Sequence, residues 1–237
     1  MRVRIDDETA ALLGNRSQTA AAAAPATKLS LRMLKIQCVS DTSEAGKDEI
    51  LLGGQATVIP LSADGTFGAP IDSGTTAPIA LGKFKSGDQR ALNLVLCTYD
   101  LRDAAPFPRV FNAALLLIEH DFGDPGKFVT LLKAIQAVVE DKVVEKVQKF
   151  LTGLDDEQKF GALIALAVTL VPSVLATLIG ALGKLFGDEV FGPFAAAVAM
   201  DSPSSLFEGG KHDTADQQAV FSAFGGTYKV TFDFALS

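Results

Sequence analysis

The string "EHDFGDPGKF", residues 119–128, holds the side chains of this chain that come nearest in type to catalytic parts. Asp121-Phe122-Gly123 has the form of the magnesium-binding tripeptide of protein kinases, but no glycine-rich loop, VAIK-like strand or HRD segment accompanies it. Gly126-Lys127 has the form of a phosphate loop, but Phe128 stands where Ser or Thr is required and position 121 is Asp rather than Gly. Both are chance matches. His120 and His212 are the only histidines, and His212-Asp213 falls in the turn-like stretch "EGGKHDTAD", where a solvated loop pair is expected. No G-x-S-x-G elbow, H-E-x-x-H pair or cysteine cluster suited to zinc is present. The expectation is a protein that is not an enzyme.

The carboxylates are the remaining chemistry. Asp41, Glu44, Asp48 and Glu49 lie at one predicted strand connection, Asp100 and Asp103 at a second, and Asp121 at a third. Calcium takes about six to eight oxygen ligands, and carboxylates on loops supply them well. In an antiparallel sandwich the loops at alternate strand ends gather at one edge, so "DTSEAGKDE" could meet some of the later acids there. These residues are the candidate metal ligands, with calcium the one candidate cofactor. The competing reading is that acids at strand ends and helix N-termini keep loops solvated and cap helices, as Asp124, Asp155 and Asp156 are placed to do. No D-x-D-x-D-G loop of the EF-hand kind occurs.

In this layout the β part of the chain resembles the calcium-dependent lipid-binding β-sandwich modules of synaptotagmin-like proteins, in which aspartates from two loops bind the ions. The resemblance rests on layout. It implies a calcium-modulated contact with a lipid surface, and it carries over no residue one by one. The long segment between the fifth strand and the C-terminal region departs from it.

The elements that must position these groups follow from periodicity. "KLSLRMLKIQCVS" (28–40) alternates Leu29, Leu31, Met33 and then Leu34, Ile36, Cys38, a phase change that predicts a β-bulge at Met33–Leu34. "ILLGGQATVIP" (50–60) reads as a second strand and the Gly/Ser/Thr/Pro-rich stretch 62–78 as a long loop. Strands follow at 79–84, 91–99 and 110–119. In "GGTYKVTFDFALS", Tyr228, Val230, Phe232 and Phe234 share one face while Thr227, Lys229, Thr231 and Asp233 share the other, which marks a half-buried strand.

Between these strands the period turns helical. Asp124-Pro125 suits an N-cap and first turn, and Phe128, Leu131, Leu132, Ile135, Val138 and Val139 recur at three- and four-residue steps. Gly153 is placed to end that helix, and Asp155 with Gln158 to cap the next. The fold class expected is therefore α+β: an antiparallel β-sandwich, residues 28–123 and 188–237, with an inserted α-helical hairpin at 124–187. Residues 1–27, ending in the low-complexity run "TAAAAAPAT", are expected to form a flexible arm.

From Phe160 to Gly183 no side chain is charged, and about 20 such residues suffice to span a bilayer. Pro172 at its middle, the lack of aromatic anchors at both ends and the absence of flanking positive clusters argue against an ordinary span. Burial against the sheet or another subunit is the expected state, with insertion into a bilayer as the alternative.

Composition limits the partners. Net charge is −7, with 21 Lys and Arg scattered among 28 acids, which disfavours nucleic acid. Apolar residues make up 48% of the chain and mean hydropathy is +0.28, which suits a chain that buries a large core or meets an apolar partner. Cys38 and Cys97 sit in apolar strand segments and are expected as buried free thiols. Asp6, Asp7 and Glu8 stand where a secretory signal needs an apolar core, so cytoplasmic synthesis is expected, with any export by another route.

The function expected is a binding module. Phe128, Leu132, Ile135, Val139, Leu166, Leu170, Leu175 and Leu178 are the candidate contacts to a protein partner or lipid bilayer, with calcium adjusting the contact and pore formation as its sharper form. The alternative is a structural subunit of a homo-oligomer, with the insertion buried between protomers.

Overall fold

In the computed structural model the described residues are 18–19, 25–42, 47–60, 71–119 and 190–237. They form strands β1 (Gln18–Thr19), β2 (Lys28–Ser40), β3 (Asp48–Pro60), β4 (Ile71–Phe84), β5 (Gln89–Asp100), β6 (Arg109–Glu119), β7 (Val190–Met200), β8 (Ser205–Leu206), β9 (Gln217–Ala223) and β10 (Gly226–Leu236). Two four-stranded antiparallel sheets result, ordered β5-β2-β10-β9 and β4-β3-β6-β7, with β1 and β8 as a separate short pair.

This corrects the expected α+β class. The described residues are all-β, and their one helical element is the short 3-10 turn Glu208–Gly210. β6 pairs directly with β7 as antiparallel neighbours in one sheet. No helical hairpin is shown; the stretch 124–187 assigned to it lies outside the described residues.

Strand β2 makes its alternation work through the expected bulge. Leu29, Leu31, Met33, Ile36 and Cys38 all face the core, and Leu34 is skipped in both ladders, where Lys35 and Met33 pair with successive residues of β10. On β5 the same irregularity places Asn93 at φ 49, a left-handed conformation that Asn tolerates better than most residues. β10 reads as its sequence says: Tyr228, Val230, Phe232 and Phe234 are fully buried.

The core lies between the sheets, where Leu52, Phe111, Leu115 and Val198 meet Leu31, Ile36, Val230 and Phe232. Aromatic edges pack against faces throughout. Phe191 meets Tyr228 at 5.3 Å and 81°, and Phe194 meets Phe232 at 5.8 Å and 65°. Such pairs add about 0.5–1.5 kcal/mol each beyond burial. On the inner face of β3, a Cβ at Gly54 would sit 2.9 Å from the Ala114 carbonyl, so only glycine fits that close approach to β6.

The sheet edges are guarded. β4 and β5 come together on one side of the sandwich and β7 and β9 on the other, which shields edges that would otherwise invite pairing with other chains. The stretch 62–78 is not simply a loop: Ile71 to Pro78 belong to β4, paired along β3 through three register shifts. Gly74 at φ 112 and Gly82 at φ 97 allow that irregular edge. Gln18 and Thr19 of the expected arm are held against β8.

Candidate functional site

The two sheets are joined at one end by a buried polar cluster. Asp48, at the start of β3, is 2% exposed. Its carboxylate accepts from the Thr42 amide at 2.9 Å, the Thr42 hydroxyl at 3.0 Å and the Tyr228 hydroxyl of the opposite sheet. A buried carboxylate needs such donors, because isolated burial of the charge is very costly. Thr42 Oγ1 also lies 3.3 Å from Oε1 of Glu119, the last residue of β6. One hydroxyl proton serves one carboxylate at a time, and the shorter contact is to Asp48. Burial, then the bond to Asp48, pushes the Tyr228 phenol far above its ordinary range. The neighbouring Cys38 thiol is also raised, chiefly by burial.

Around this cluster the other acids of that end are engaged. Ser86 donates to Asp41 at 2.5 Å and accepts the Asp41 amide at 3.0 Å. The Ser86 bond holds the Asp41 carboxyl below its usual value. Glu49 pairs with Lys83 at 2.5 Å directly across the β3–β4 ladder.

Asp100 and Asp103 lie at the other end of the sandwich. Lys28, the first residue of β2, pairs with Asp100, whereas Asp41 follows the last. Across a 13-residue strand that separation is about 40 Å. The structure therefore does not bring the two groups together. Asp100 accepts from the Arg102 amide, Nε and guanidinium, a geometry that holds its carboxyl far below the usual range. Asp103 forms an ion pair with Arg109 at 2.6 Å.

Arg109 organises that end. It is 1% exposed, lies 4.0 Å over the Phe107 ring, and donates to the carbonyls of Asp103, Ala105 and Pro106. Its chemistry is structural: it satisfies the turning backbone of 101–108 from inside.

Among the described residues no group of three or more His, Cys, Asp or Glu is placed to hold a metal ion. Glu44 and Asp121 of the candidate ligand set lie outside the described residues, as do Phe128, Leu132, Ile135, Val139, Leu166, Leu170, Leu175 and Leu178. Among the described residues no helix is long and apolar enough to cross a membrane. His120 also lies outside. His212 is exposed, and its neighbour Asp213 turns to Arg32 at 3.3 Å.

The same end that holds Asp48 is where residues 120–189 leave and rejoin the sheet. Ile118 of β6 pairs with Val190 of β7, so both ends of that segment sit on adjacent strands. Beside them, Phe224 stands 51% exposed in the tight β9–β10 turn, with φ 55, its ring 6.4 Å from Phe191. A positive φ is costly for a bulky residue and often marks a position kept for function.

Sequence reasoning missed Thr42, Tyr228 and Phe224 as members of this end. Tyr228 was legible as an inward residue of β10, but nothing local shows that its hydroxyl reaches β3. Compared with known protein families, curated proteins and solved structures, the chain matches none.

Proposed function

We propose that this chain is a non-enzymatic binding module, in which the two-sheet scaffold holds residues 120–189 at one end and uses that segment to engage an apolar partner surface, a lipid bilayer in the first place. The observation that carries this reading is the attachment of the segment. It leaves at Glu119 and returns at Val190, on neighbouring strands tied to the rigid cluster of Asp48, Thr42 and Tyr228. Within it, Phe160 to Gly183 carries no charge. The exposed Phe224 at the same end extends the apolar contact.

The acids support a binding role without turnover. Asp41, Asp48, Asp100 and Asp103 are each held by a named donor. Calcium would then act by displacing Ser86 or Lys83 from Asp41 and Glu49 rather than by filling a ready cage.

Liposome co-flotation of the purified chain, with calcium and with chelator, tests the reading. Flotation in both conditions supports direct contact of the segment with lipid, and flotation only with calcium adds the ion to it. Absence of flotation in both removes the lipid surface as partner.

A further inference from the structure

Register sets the outward face of the β5-β2-β10-β9 sheet. Ile36, Cys38, Val230 and Phe221 point into the core, so their chain neighbours Lys35, Gln37, Lys229 and Val220 point out. Two successive rows cross the sheet there: Gln89, Gln37, Lys229 and Val220, then Ala91, Lys35, Thr231 and Gln218. A row of Ser40, Thr227 and Ser222 lies beside the first, the last two with their hydroxyls 3.1 Å apart. These positions hold two ammonium groups, several amides and hydroxyls, and no carboxylate.

A cationic patch stands out in a chain of net charge −7. Lys35 and Lys229 are diagonal neighbours on adjacent strands, about 7–8 Å apart at the backbone. Neither takes part in the ion pairs of the described residues. The row on the other side, Val95, Arg32 and Asp233, has no carboxylate to spare. Arg32 Nε donates to Asp233 at 2.9 Å, and its guanidinium also meets Asp213 at 3.3 Å. Like charges held side by side without an acid weaken a sheet. Exposed valines frame the two lysines: Val220, directly opposite Lys229, is 50% exposed, and Val39, the next outward position after Gln37 on β2, is 45% exposed.

We infer that this face docks an acidic segment of a partner protein, whose carboxylates meet Lys35 and Lys229 and whose apolar side chains meet Val39 and Val220. Charge complementarity gives the sign of the occupant, and the rest of the face gives its class. The rows form an open sheet surface, whereas small ligands take concave sites. None of the outward positions in these rows is aromatic. The face therefore lacks both the rings on which bases stack and those that anchor at a bilayer interface. Two unpaired cations are also few for a phosphate backbone. Gln37, Gln89, Gln218 and Thr231 can each donate and accept, which suits the peptide groups of a segment laid across them. The inference goes beyond the proposed function and concerns the sheet that does not carry Glu119 and Val190.

The test is fluorescence anisotropy of a labelled peptide of alternating Glu and Val, titrated with the full chain at low salt. The parent is expected to bind it saturably and to lose affinity as salt rises. Lys35→Glu together with Lys229→Glu is expected to lower affinity at least tenfold. Lys85→Glu together with Lys211→Glu makes the same change in net charge at exposed positions outside the face, and should leave affinity within about twofold. Equal losses from the two pairs would show attraction to total charge and overturn the inference, as would absence of binding by the parent. Should the reversed pair fail to fold, Lys35→Gln with Lys229→Gln is expected to lose affinity several-fold, and an unchanged affinity would overturn the inference. Tighter binding of phosphatidylserine vesicles or of a single-stranded oligonucleotide, lost on the same substitutions, would assign the face to lipid or nucleic acid instead. A dimer in sedimentation that the reversed pair dissolves would assign it to a second copy, which also overturns it. Absence of liposome flotation by the parent would leave the peptide result unchanged, so the two readings fail separately.

Discussion

The Tyr228 hydroxyl donates to Asp48 Oδ2, tying β10 of one sheet to the first residue of β3 in the other. The bond is buried and charge-assisted, and such bonds contribute about 1.5–3 kcal/mol. Tyr228→Phe keeps the ring contacts with Phe84 and Phe191 and removes only this donor. Thr42 still supplies two donors to Asp48, so the loss should be about 2 kcal/mol. Urea denaturation should show a lower midpoint at an unchanged slope. A variant as stable as the parent would show that the sheets are not joined through this pair.

Arg109 gives the sharper loss. Lysine retains the charge but not the planar fork that reaches Asp103 and three carbonyls at once. Arg109→Lys is expected to cost about 2–3 kcal/mol, since buried carbonyls and a carboxylate lose their donors together. Its midpoint in thermal unfolding should fall by several degrees while the wet pair Glu49–Lys83, replaced by Ala on both sides, changes stability little. Equal effects from the two changes would remove the organising role assigned to Arg109.

What the sequence disclosed follows the reach of its signals. Alternation is local, so β2 and β10 could be read with their faces, and even the bulge at Leu34 showed as a change of phase. β7, "VFGPFAAAVAM", could not, because alanines carry no inward or outward preference and the strand is defined only by its pairing with β6. β4 was hidden by Gly, Ser and Thr, which suit an irregular edge as well as a loop. The acids were found as loop residues, but their partners Thr42, Ser86 and Arg109 come from distant positions or from inside the core. Of the acids considered together, Asp41 and Asp100 are kept apart by a simple length, one long strand with an end at each.

Acid should weaken the fold through the exposed carboxyls of Asp41 and Asp100. Asp41 and Asp100 both have folded values below the ordinary carboxylate value of about 3.9. The unfolded chain therefore binds protons first, and the stabilisation is complete above that value and lost as pH falls through the folded ones. The thermal midpoint should decline below about pH 4, and Asp41→Asn should make the decline shallower. Because both groups face water, each change is small. A midpoint that rises on acidification below pH 4 would contradict the assigned bonds.

The thiols should be quiet. Cys97 is pushed up to about 11, mainly by burial, and Cys38 is raised for the same first reason. The thiolate is the reactive form, so at neutral pH neither should attack a disulfide reagent quickly. Nor can they pair, because Cys97 lies opposite Leu31, roughly 20 Å along β2 from Cys38. Titration with an aromatic disulfide reagent should release little colour from the native chain and two equivalents after unfolding. Rapid release from the native chain would place one thiol outside the core.

Asn112 of β6 offers a direct energetic reading of a buried polar side chain, 1% exposed with its Oδ1 unpartnered. Its backbone carbonyl accepts the Tyr99 hydroxyl at 2.7 Å, a bond that a side-chain change leaves in place. Its side chain points away from the core, beside Val110 and Ala114 and opposite Thr57 and Ala197 on the neighbouring strands. Burying an oxygen without a donor costs about 1–3 kcal/mol. Asn112→Leu removes that cost and adds apolar contact, so the chain should become more stable by about 1 kcal/mol. Asn112→Asp should do the reverse, because it buries a charge with no partner. Chemical denaturation of the two variants separates the cases by sign. A leucine variant less stable than the parent would mean that the Asn112 side chain is held by a donor and is not an unpartnered group.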